Sequence, residues 1–344
     1  MKILAIDIGS GTQDVLYYMD DRELENCPKF VLPSPAVLIS KKIKRLTSRG
    51  KNIYLYGNNM GGGFKGVLIA HINAGLKVAC SKDAAYAISD NLNKVKNMGI
   101  EIKDVPPVGY VPVYLTDFDP GFWDSFLNMA GLDYPDTVLI AAQDHGFFPD
   151  MSNRQGRFKL WEKFLEQKGD IYNLVFKVPD KKFTRLMAIH KIIGGGLVAD
   201  TGGAAILGAL YDKAVYEKSK TTGVCIINIG NSHTIGFLIY QDKIYGIYEH
   251  HTGILNPEKL WSHIEKFKKG KLTNKEVFDD MGHGCICRDD VETLDFSSTY
   301  VIGPKRNLLS NYPVEFIAPG GDMMLTGAIG LVHGYQLSHL DLHQ

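Results

Sequence analysis

The fold is decided near the start of the chain, by the stretch Ile3-Leu4-Ala5-Ile6-Asp7-Ile8-Gly9-Ser10-Gly11-Thr12-Gln13. An unbroken apolar run leads into a carboxylate, two glycines follow around a hydroxyl, and apolar residues resume at Val15. This pattern predicts a buried strand, a tight turn and an antiparallel return strand. Glycines let backbone N–H groups approach phosphate oxygens, and Asp7 suits a hydrated divalent cation. The alternative is a hairpin whose glycines serve only the turn.

The second half of the chain repeats this pattern. Residues 223–234 run from an apolar strand through Asn228 and Gly230 into a polar turn, and apolar runs follow at 236–240 and 243–249. An internal repeat is strong information about architecture. We therefore expect a duplicated core, with a first lobe at residues 1–195 and a second lobe at residues 196–344.

The composition excludes several classes of function. The chain has 344 residues, 45% of them hydrophobic and 22% charged, which is typical of a globular protein with two domains. Lys plus Arg equals Asp plus Glu at 38 each, so no net field attracts nucleic acid or an anionic membrane. Five scattered cysteines and the lack of a long apolar run predict a cytoplasmic protein that spans no membrane. A small molecule or another protein is the expected partner.

Between the two repeats, the sequence predicts alternating strands and helices. Strands are expected at 53–56, 108–115 and 137–142, and helices at 83–96, 121–130, 184–193 and 200–210, while the prolines at 28, 33 and 35 predict a loop. The strand at 53–56 is taken as the third strand of the opening meander. These elements predict an α/β protein with a mixed sheet in each lobe.

Five motifs, which follow one another along the chain as they do in a known superfamily, resemble the actin-like ATPases. This superfamily includes sugar and acetate kinases and the heat-shock chaperone ATPase domains. Residues 7–12 resemble the first phosphate loop, 228–234 the second, and 300–306 the strand and turn that carry adenosine, for which 318–322 is a second candidate. Small-residue helices at 200–208 and 325–331 resemble the pair that joins the two lobes. The resemblance implies a duplicated ribonuclease H-like fold, with a mixed five-stranded sheet in each lobe and a central cleft for ATP and Mg²⁺.

The resemblance also assigns roles to residues of this chain. The implied metal site uses Asp7 and Asn228, and either Gln143 orients an attacking water or Asp144 acts as general base. A capping Asp is the alternative for Asp144. The implied nucleotide contacts are Gly9, Ser10, Gly11, Thr12, Gln13, Gly230, Asn231, Ser232, His233, Thr234, Gly303, Pro304 and Lys305.

Two departures from the superfamily pattern bear on activity. Asn228 stands where the second loop usually has Asp, which removes a negative charge near the cation, and Pro304 replaces a glycine of the adenosine turn. Three functions stay open: a kinase of a small acceptor, a slow ATPase that remodels a partner such as a metalloenzyme, and a ligand sensor without turnover. A homodimer is also an expectation.

Within the superfamily, the chain resembles a prokaryotic family labelled as related to the activating enzyme of pyruvate formate-lyase. That label implies radical chemistry and a Cys-x3-Cys-x2-Cys motif, which this sequence lacks, so we set it aside.

Other polar side chains are weaker candidates. His283, Cys285 and Cys287 have ligand-type side chains two residues apart, but zinc sites normally use wider spacings and need a fourth ligand. The alternative is a loop that brings His283 into the cleft, and His250 and His251 could face the cleft likewise. His233 could donate to a phosphate oxygen, and Lys65, which follows three glycines, could reach a phosphate.

Overall fold

The structure is a computed structural model, and it describes residues 1–340. Its strands are β1 (Lys2–Ile8), β2 (Thr12–Met19), β3 (Lys29–Pro33), β4 (Ile53–Gly57), β5 (Val78–Cys80), β6 (Ile100–Ile102), β7 (Val111–Leu115), β8 (Thr137–Ala142), β9 (Val175–Phe176), β10 (Val198–Ala199), β11 (Val224–Ile229), β12 (His233–Tyr240), β13 (Lys243–His251), β14 (Gly284–Cys287), β15 (Ser298–Ile302) and β16 (Glu315–Phe316). Its α-helices are α1 (Pro35–Ser48), α2 (Lys65–Asn73), α3 (Lys82–Tyr86), α4 (Leu92–Asn97), α5 (Pro120–Met129), α6 (Asn153–Glu166), α7 (Thr184–Ile193), α8 (Thr201–Leu210), α9 (Lys213–Thr221), α10 (Pro257–Lys268), α11 (Asn274–Asp279) and α12 (Thr326–Leu340).

Two six-stranded sheets share one strand order over five positions. The first sheet runs β3-β2-β1-β8-β10-β9, and the second runs β14-β13-β12-β11-β15-β16. In both, three antiparallel meander strands are followed by parallel strands beside the first of the three. This is the duplicated ribonuclease H-like fold of the actin-like ATPases, which confirms the predicted fold class. Each sheet has six strands rather than five because β9 and β14 add an edge strand.

A third sheet is formed by the part of the chain between β3 and β8, which both belong to the first sheet. Its four strands, in the order β6-β5-β4-β7, are all parallel and pack against the helices α1 to α4 around a core of their own. The strand at 53–56, expected in the opening meander, belongs to this inserted sheet, so that assignment was wrong. Its apolar alternation predicts a strand but does not identify its partner.

The true third strand of the opening meander is β3, where the prolines had predicted a loop. It pairs with β2 at the edge of the first sheet, with Pro33 opposite Thr12. Proline is tolerated there because an edge strand has one side without ladder hydrogen bonds. The helix predicted at 83–96 is two short helices, because Asn91 accepts hydrogen bonds from the N–H groups of Asn93 and Lys94 and starts α4 afresh.

The small-residue helices α8 and α12 cross in direct backbone contact. A Cβ atom at Gly208 would lie 1.8 Å from the carbonyl oxygen of Thr326, and one at Gly330 would lie 1.8 Å from that of Ala204. Helix α12 packs on β1 and β8 of the first sheet, whereas α8 also packs on β11 of the second. The crossing therefore joins the two lobes, as the composition of these helices predicts. The boundary between residues 195 and 196 stays a prediction; strand β10 of the first sheet lies just beyond it.

Within residues 1–340, no helix combines the length and the apolar character that crossing a membrane requires.

Candidate functional site

A cavity of about 530 Å³ lies between the two lobes, and the turns of both repeats line it. The turn between β1 and β2 enters from the first lobe, and the turn between β11 and β12 enters from the second. Their tips touch, because the hydroxyl oxygens of Ser10 and Ser232 are 2.8 Å apart in a hydrogen bond. The two copies of the hairpin therefore face one space.

The two turns also share their backbone geometry. The N–H of Gly9 donates to the carbonyl of Thr12 at 2.9 Å, and the N–H of Gly230 donates to that of His233 at 2.9 Å. A Cβ atom would lie 3.2 Å from that carbonyl oxygen at Gly9 and 2.8 Å from it at Gly230. Close approach of the backbone therefore favours glycine at the same place in each repeat.

Asp7 presents a buried carboxylate oxygen at the end of β1. Its Oδ1 is buried without a hydrogen-bond partner, and its Oδ2 lies so near helix α12 that a Cβ at Gly327 would be 2.0 Å from it. Burial and the neighbouring Asp14 carboxylate raise the pKa of Asp7 to about 8. Asp14 is the cross-strand partner of Asp7, and its Oδ1 is likewise buried and unpartnered. Burial raises the pKa of Asp14 to about 6.

Most of the predicted site residues line the cavity. They are Asp7, Gly9, Ser10, Gly11, Thr12, Gln143, Asp144, Asn228, Gly230, Asn231, Ser232, His233, Gly303 and Pro304. Lys65, at the start of α2 in the inserted subdomain, lines it as well.

Three predicted nucleotide contacts do not line it. The Nε2 of Gln13 donates to the carbonyl of Pro33 at 3.0 Å, and the hydroxyl of the fully buried Thr234 lies 3.0 Å from that of Thr252. Each follows a cavity-lining residue in its strand, and successive side chains in a strand point to opposite faces. Lys305 is exposed outside the cavity.

The predicted adenosine turn lies at the end of β15, next to the turn between β11 and β12. Gly303 has a φ of +96°. A Cβ there would lie 2.5 Å from Oδ1 of Asn228, so glycine is required both by conformation and by space. The N–H of Lys305 donates to the carbonyl of Ile229 at 3.0 Å, which ties the turn to β11.

Asp144 holds the start of helix α7. Its Oδ2 accepts hydrogen bonds from the N–H groups of Arg185 and Leu186, both at 3.0 Å, and its Oδ1 accepts one from Gly146 at 2.8 Å. Burial raises its pKa to about 6. These contacts are those of a helix cap and match the alternative that the sequence left open. The role of general base stays a prediction.

A buried ion network centred on Arg157 joins the lobes beside the cavity. Its guanidinium makes two hydrogen bonds to Asp200, at 2.8 and 2.9 Å, and its Nε donates to Glu249 of β13. Glu249 also accepts from Nε2 of Gln143 at 2.9 Å. Burial opposes the charge on Arg157, but Asp200 and Glu249 raise its pKa. The Oε1 atom of Gln143 takes part in none of these hydrogen bonds.

Arg185 is a second cation at the cavity wall. Its guanidinium makes two hydrogen bonds to Asp117, at 2.7 and 2.8 Å, and donates to the backbone carbonyl of Gln143 at 2.8 Å. It lines the cavity beside Gly61, where a Cβ would be 2.7 Å from its guanidinium.

Three histidines gather next to the turn between β11 and β12. Ligand nitrogens of His233, His251 and His283 all lie within 4.8 Å of one another. Burial, together with the nearby Arg157, lowers the pKa of His283 to about 2, and burial lowers those of His233 and His251. A fourth imidazole, His145, has its ring centroid 5.8 Å from that of His283.

Sequence reasoning did not find Arg157, Glu249, Arg185 or Asp14, and it considered the three histidines at the cleft one by one rather than as a cluster. Arg157 lies in a Lys-rich stretch that gave no signal, and the histidines come from three separate segments. Asp14 could have been found, because its place opposite Asp7 follows from the hairpin that the sequence predicts. The expectations of a small acceptor, a partner protein and a homodimer stay predictions.

Comparisons with known proteins give one family and several distant structural likenesses. No curated protein matches the sequence. The fold is similar to ethanolamine utilization protein EutJ from Carboxydothermus hydrogenoformans, at 9% identity and a TM-score of 0.30, over 97% of this chain and 89% of that chain. It is similar to a ROK family glucokinase from Streptomyces griseus in complex with glucose and AMPPNP, at 10% identity and a TM-score of 0.33, over 98% of this chain and 99% of the glucokinase chain. A chain of the PilM-PilN type IV pilus biogenesis complex matches at 12% identity and a TM-score of 0.33, over 97% of this chain and 98% of that chain.

With TM-scores this low, these likenesses add nothing to what the strand order already shows. The sequence model of one family matches residues 60–308, which is most of the chain. The chain therefore belongs to the family described as "Putative pyruvate format-lyase activating enzyme (DUF1786)".

Proposed function

We propose that the protein binds a nucleoside triphosphate together with Mg²⁺ between its lobes and hydrolyses it slowly. The resemblance to the actin-like ATPases favours ATP as the nucleotide. The observation that carries the proposal is the shared cavity: two equivalent glycine turns and a buried carboxylate with an orphaned oxygen all face it. A volume of about 530 Å³ is in the range of small-molecule sites. Lys65 at its wall adds positive charge for phosphate oxygens, whereas the charge of Arg185 is paired with Asp117.

The carboxylates at the first turn fit a magnesium ion. Mg²⁺ is usually held by one or two carboxylates together with water and substrate phosphates. Asp7 and Asp14 each have one buried oxygen without a partner, and both line the cavity. A bound cation would supply charge neutralisation for the phosphates. Asn228 would contribute at most a neutral amide oxygen, so we assign the main role to Asp7.

The contacts of the two catalytic candidates favour hydrolysis over transfer to an acceptor. Three backbone N–H groups already bind the carboxylate of Asp144, which leaves it poorly placed to take a proton. Gln143 is anchored through Nε2 to Glu249, and its carbonyl oxygen can accept a hydrogen bond from water. We therefore propose that Gln143 orients the attacking water, while the two turns hold the phosphates.

Calorimetric titration and phosphate release test this proposal. Wild type should bind Mg·ATP and release phosphate slowly without added metabolites. Gln143→Ala should keep the affinity and lose about 100-fold in rate, because water alignment contributes about that much. Asp7→Ala should lose Mg-dependent binding, whereas Asp124→Asn, at an exposed position on α5, should match wild type. Absence of triphosphate binding would overturn the proposal, and stimulation by a metabolite would favour a kinase.

A nucleotide sensor without turnover is the second candidate. The amide of Asn228 packs against Gly303 where the superfamily pattern has a carboxylate, and Pro304 adds a rigid residue to the base turn. Binding without measurable phosphate release would favour this function. Recovery of hydrolysis in Asn228→Asp would indicate an enzyme that has lost one of its charges.

We do not propose the radical chemistry that the family description suggests. An iron–sulfur cluster is held by several cysteine thiolates. Over the part of the chain that the structure describes, the only cluster of three or more His, Cys, Asp or Glu side chains in metal-binding range is the histidine trio. The cysteines therefore do not fit such a cluster.

A further inference from the structure

Three neighbouring strands of the second sheet bring one histidine each to the same edge of the cleft. His233 at the start of β12 is the direct cross-strand partner of His251 at the end of β13. His283 immediately precedes β14, and its N–H donates to the carbonyl of Glu249 in β13 at 3.0 Å. The backbone ladder therefore fixes where all three imidazoles stand.

Two glycines allow His283 to reach this place. A Cβ at Gly282 would lie 2.4 Å from the ring of His250, and one at Gly284 would lie 2.2 Å from Oδ1 of Asn274. The segment therefore packs too closely for side chains on either side of His283. The Nδ1 atom of His283 is buried and has no hydrogen-bond partner, which is costly unless something else binds it.

The surroundings of the trio carry balanced charge. Arg157 and Arg154 are the nearby cations, and Glu249 and Asp200 are the nearby anions. Arg157 is already paired with both carboxylates. The two positive and two negative charges around the trio sum to zero. Electrostatic repulsion therefore does not prevent a dication from binding there.

We propose that His233, His251 and His283 form a binding site for a transition-metal dication of the Zn²⁺ class, with one coordination position left for water or a ligand in the cleft. A tetrahedral zinc with Zn–N bonds of about 2.0–2.1 Å holds its ligand nitrogens about 3.3 Å apart. The widest pair, now within 4.8 Å, therefore needs to close by about 1.5 Å, which rotation of side chains can supply. Three imidazoles suit Zn²⁺, Cu²⁺ or Ni²⁺ rather than Mg²⁺.

The site would lie outside the proposed magnesium site but would share a wall with it. His233 belongs to the second phosphate loop and lines the cavity. A metal bound by this residue would clamp the loop to β13 and place its open position toward the cleft. The proposal stands without nucleotide binding, because it rests on the imidazoles alone.

Metal titration of the tag-free full-length protein tests the proposal. After EDTA treatment and its removal, Zn²⁺ is titrated against a chromophoric chelator in excess Mg²⁺, which occupies carboxylate sites. We expect one Zn²⁺ per chain, and His251→Gln and His283→Gln should each weaken binding about 100-fold or more. Bound Co²⁺ should show the intense visible absorption of a tetrahedral site with nitrogen ligands.

Two matched variants locate the metal. His339→Gln changes an exposed histidine of α12, and Cys287→Ser removes the thiol at the end of β14 farther from His283; both should bind Zn²⁺ as wild type does. Thermal melting without metal shows whether each variant folds. Equal affinity of wild type and both trio variants, weak binding by wild type, or loss of binding in Cys287→Ser would overturn the assignment.

Discussion

Replacing Asp7 with Asn should make the metal-free protein more stable at neutral pH. Folding raises the pKa of Asp7 from 3.8 to about 8. Between about pH 5 and pH 7 the unfolded chain has therefore lost this proton while the folded chain keeps it. Stability then falls as pH rises, by about 1.4 kcal/mol per pH unit, or about 2.7 kcal/mol over the two units. Asp7→Asn removes this contribution and leaves the other titrating groups in place.

Thermal melting in EDTA at pH 5 and pH 7 measures the difference. For a chain of this length, about 2.7 kcal/mol corresponds to about 4 °C in Tm. The Tm of Asp7→Asn relative to wild type should therefore rise by about 4 °C between the two pH values, whereas Asp124→Asn should show no such change. With Mg·ATP added, wild type and Asp124→Asn should gain stability, and Asp7→Asn should not. An equal Tm difference at both pH values would refute the reasoning on Asp7.

Two further substitutions test the packing and the ion network that join the lobes. Gly330→Ala places a Cβ 1.8 Å from the carbonyl oxygen of Ala204, so it should cost about 3 kcal/mol or more and lower the Tm; a wild-type Tm would mean that the two helices can separate at no cost. Arg157→Met removes the guanidinium that pairs with Asp200 and Glu249 and leaves both buried carboxylates without their cation, so about 3–5 kcal/mol should be lost in melting experiments at neutral pH. Unchanged melting of this variant would show that the buried carboxylates find other partners.

The duplicated core was predictable from sequence because each copy carries its own local signal. A glycine in a turn between two apolar runs shows where the backbone must approach closely, and Gly9 and Gly230 do make the same hydrogen bond. Asp7 was recognisable because a carboxylate at the end of a buried strand has few structural reasons to be there. The inserted sheet was not predictable, because strand β4 looks the same whichever partner it pairs with.

The remaining side chains depend on contacts between distant segments. Whether Asp144 acts as a base or a cap depends on the N–H groups of Arg185 and Leu186, about forty residues away. The histidine trio depends on the pairing of β12, β13 and β14, which no local pattern encodes. Such clusters arise only after the sheet has formed.

Cross-linking of the two turns tests most directly whether they hold a common triphosphate. The hydroxyl oxygens of Ser10 and Ser232 are 2.8 Å apart, so the double variant Ser10→Cys/Ser232→Cys should oxidise readily to a disulfide. If phosphates bind between the turns, saturating Mg·ATP should slow that oxidation at least about tenfold, and the cross-linked protein should no longer bind Mg·ATP. Oxidation at an unchanged rate, together with full ATP affinity after cross-linking, would contradict the shared phosphate site.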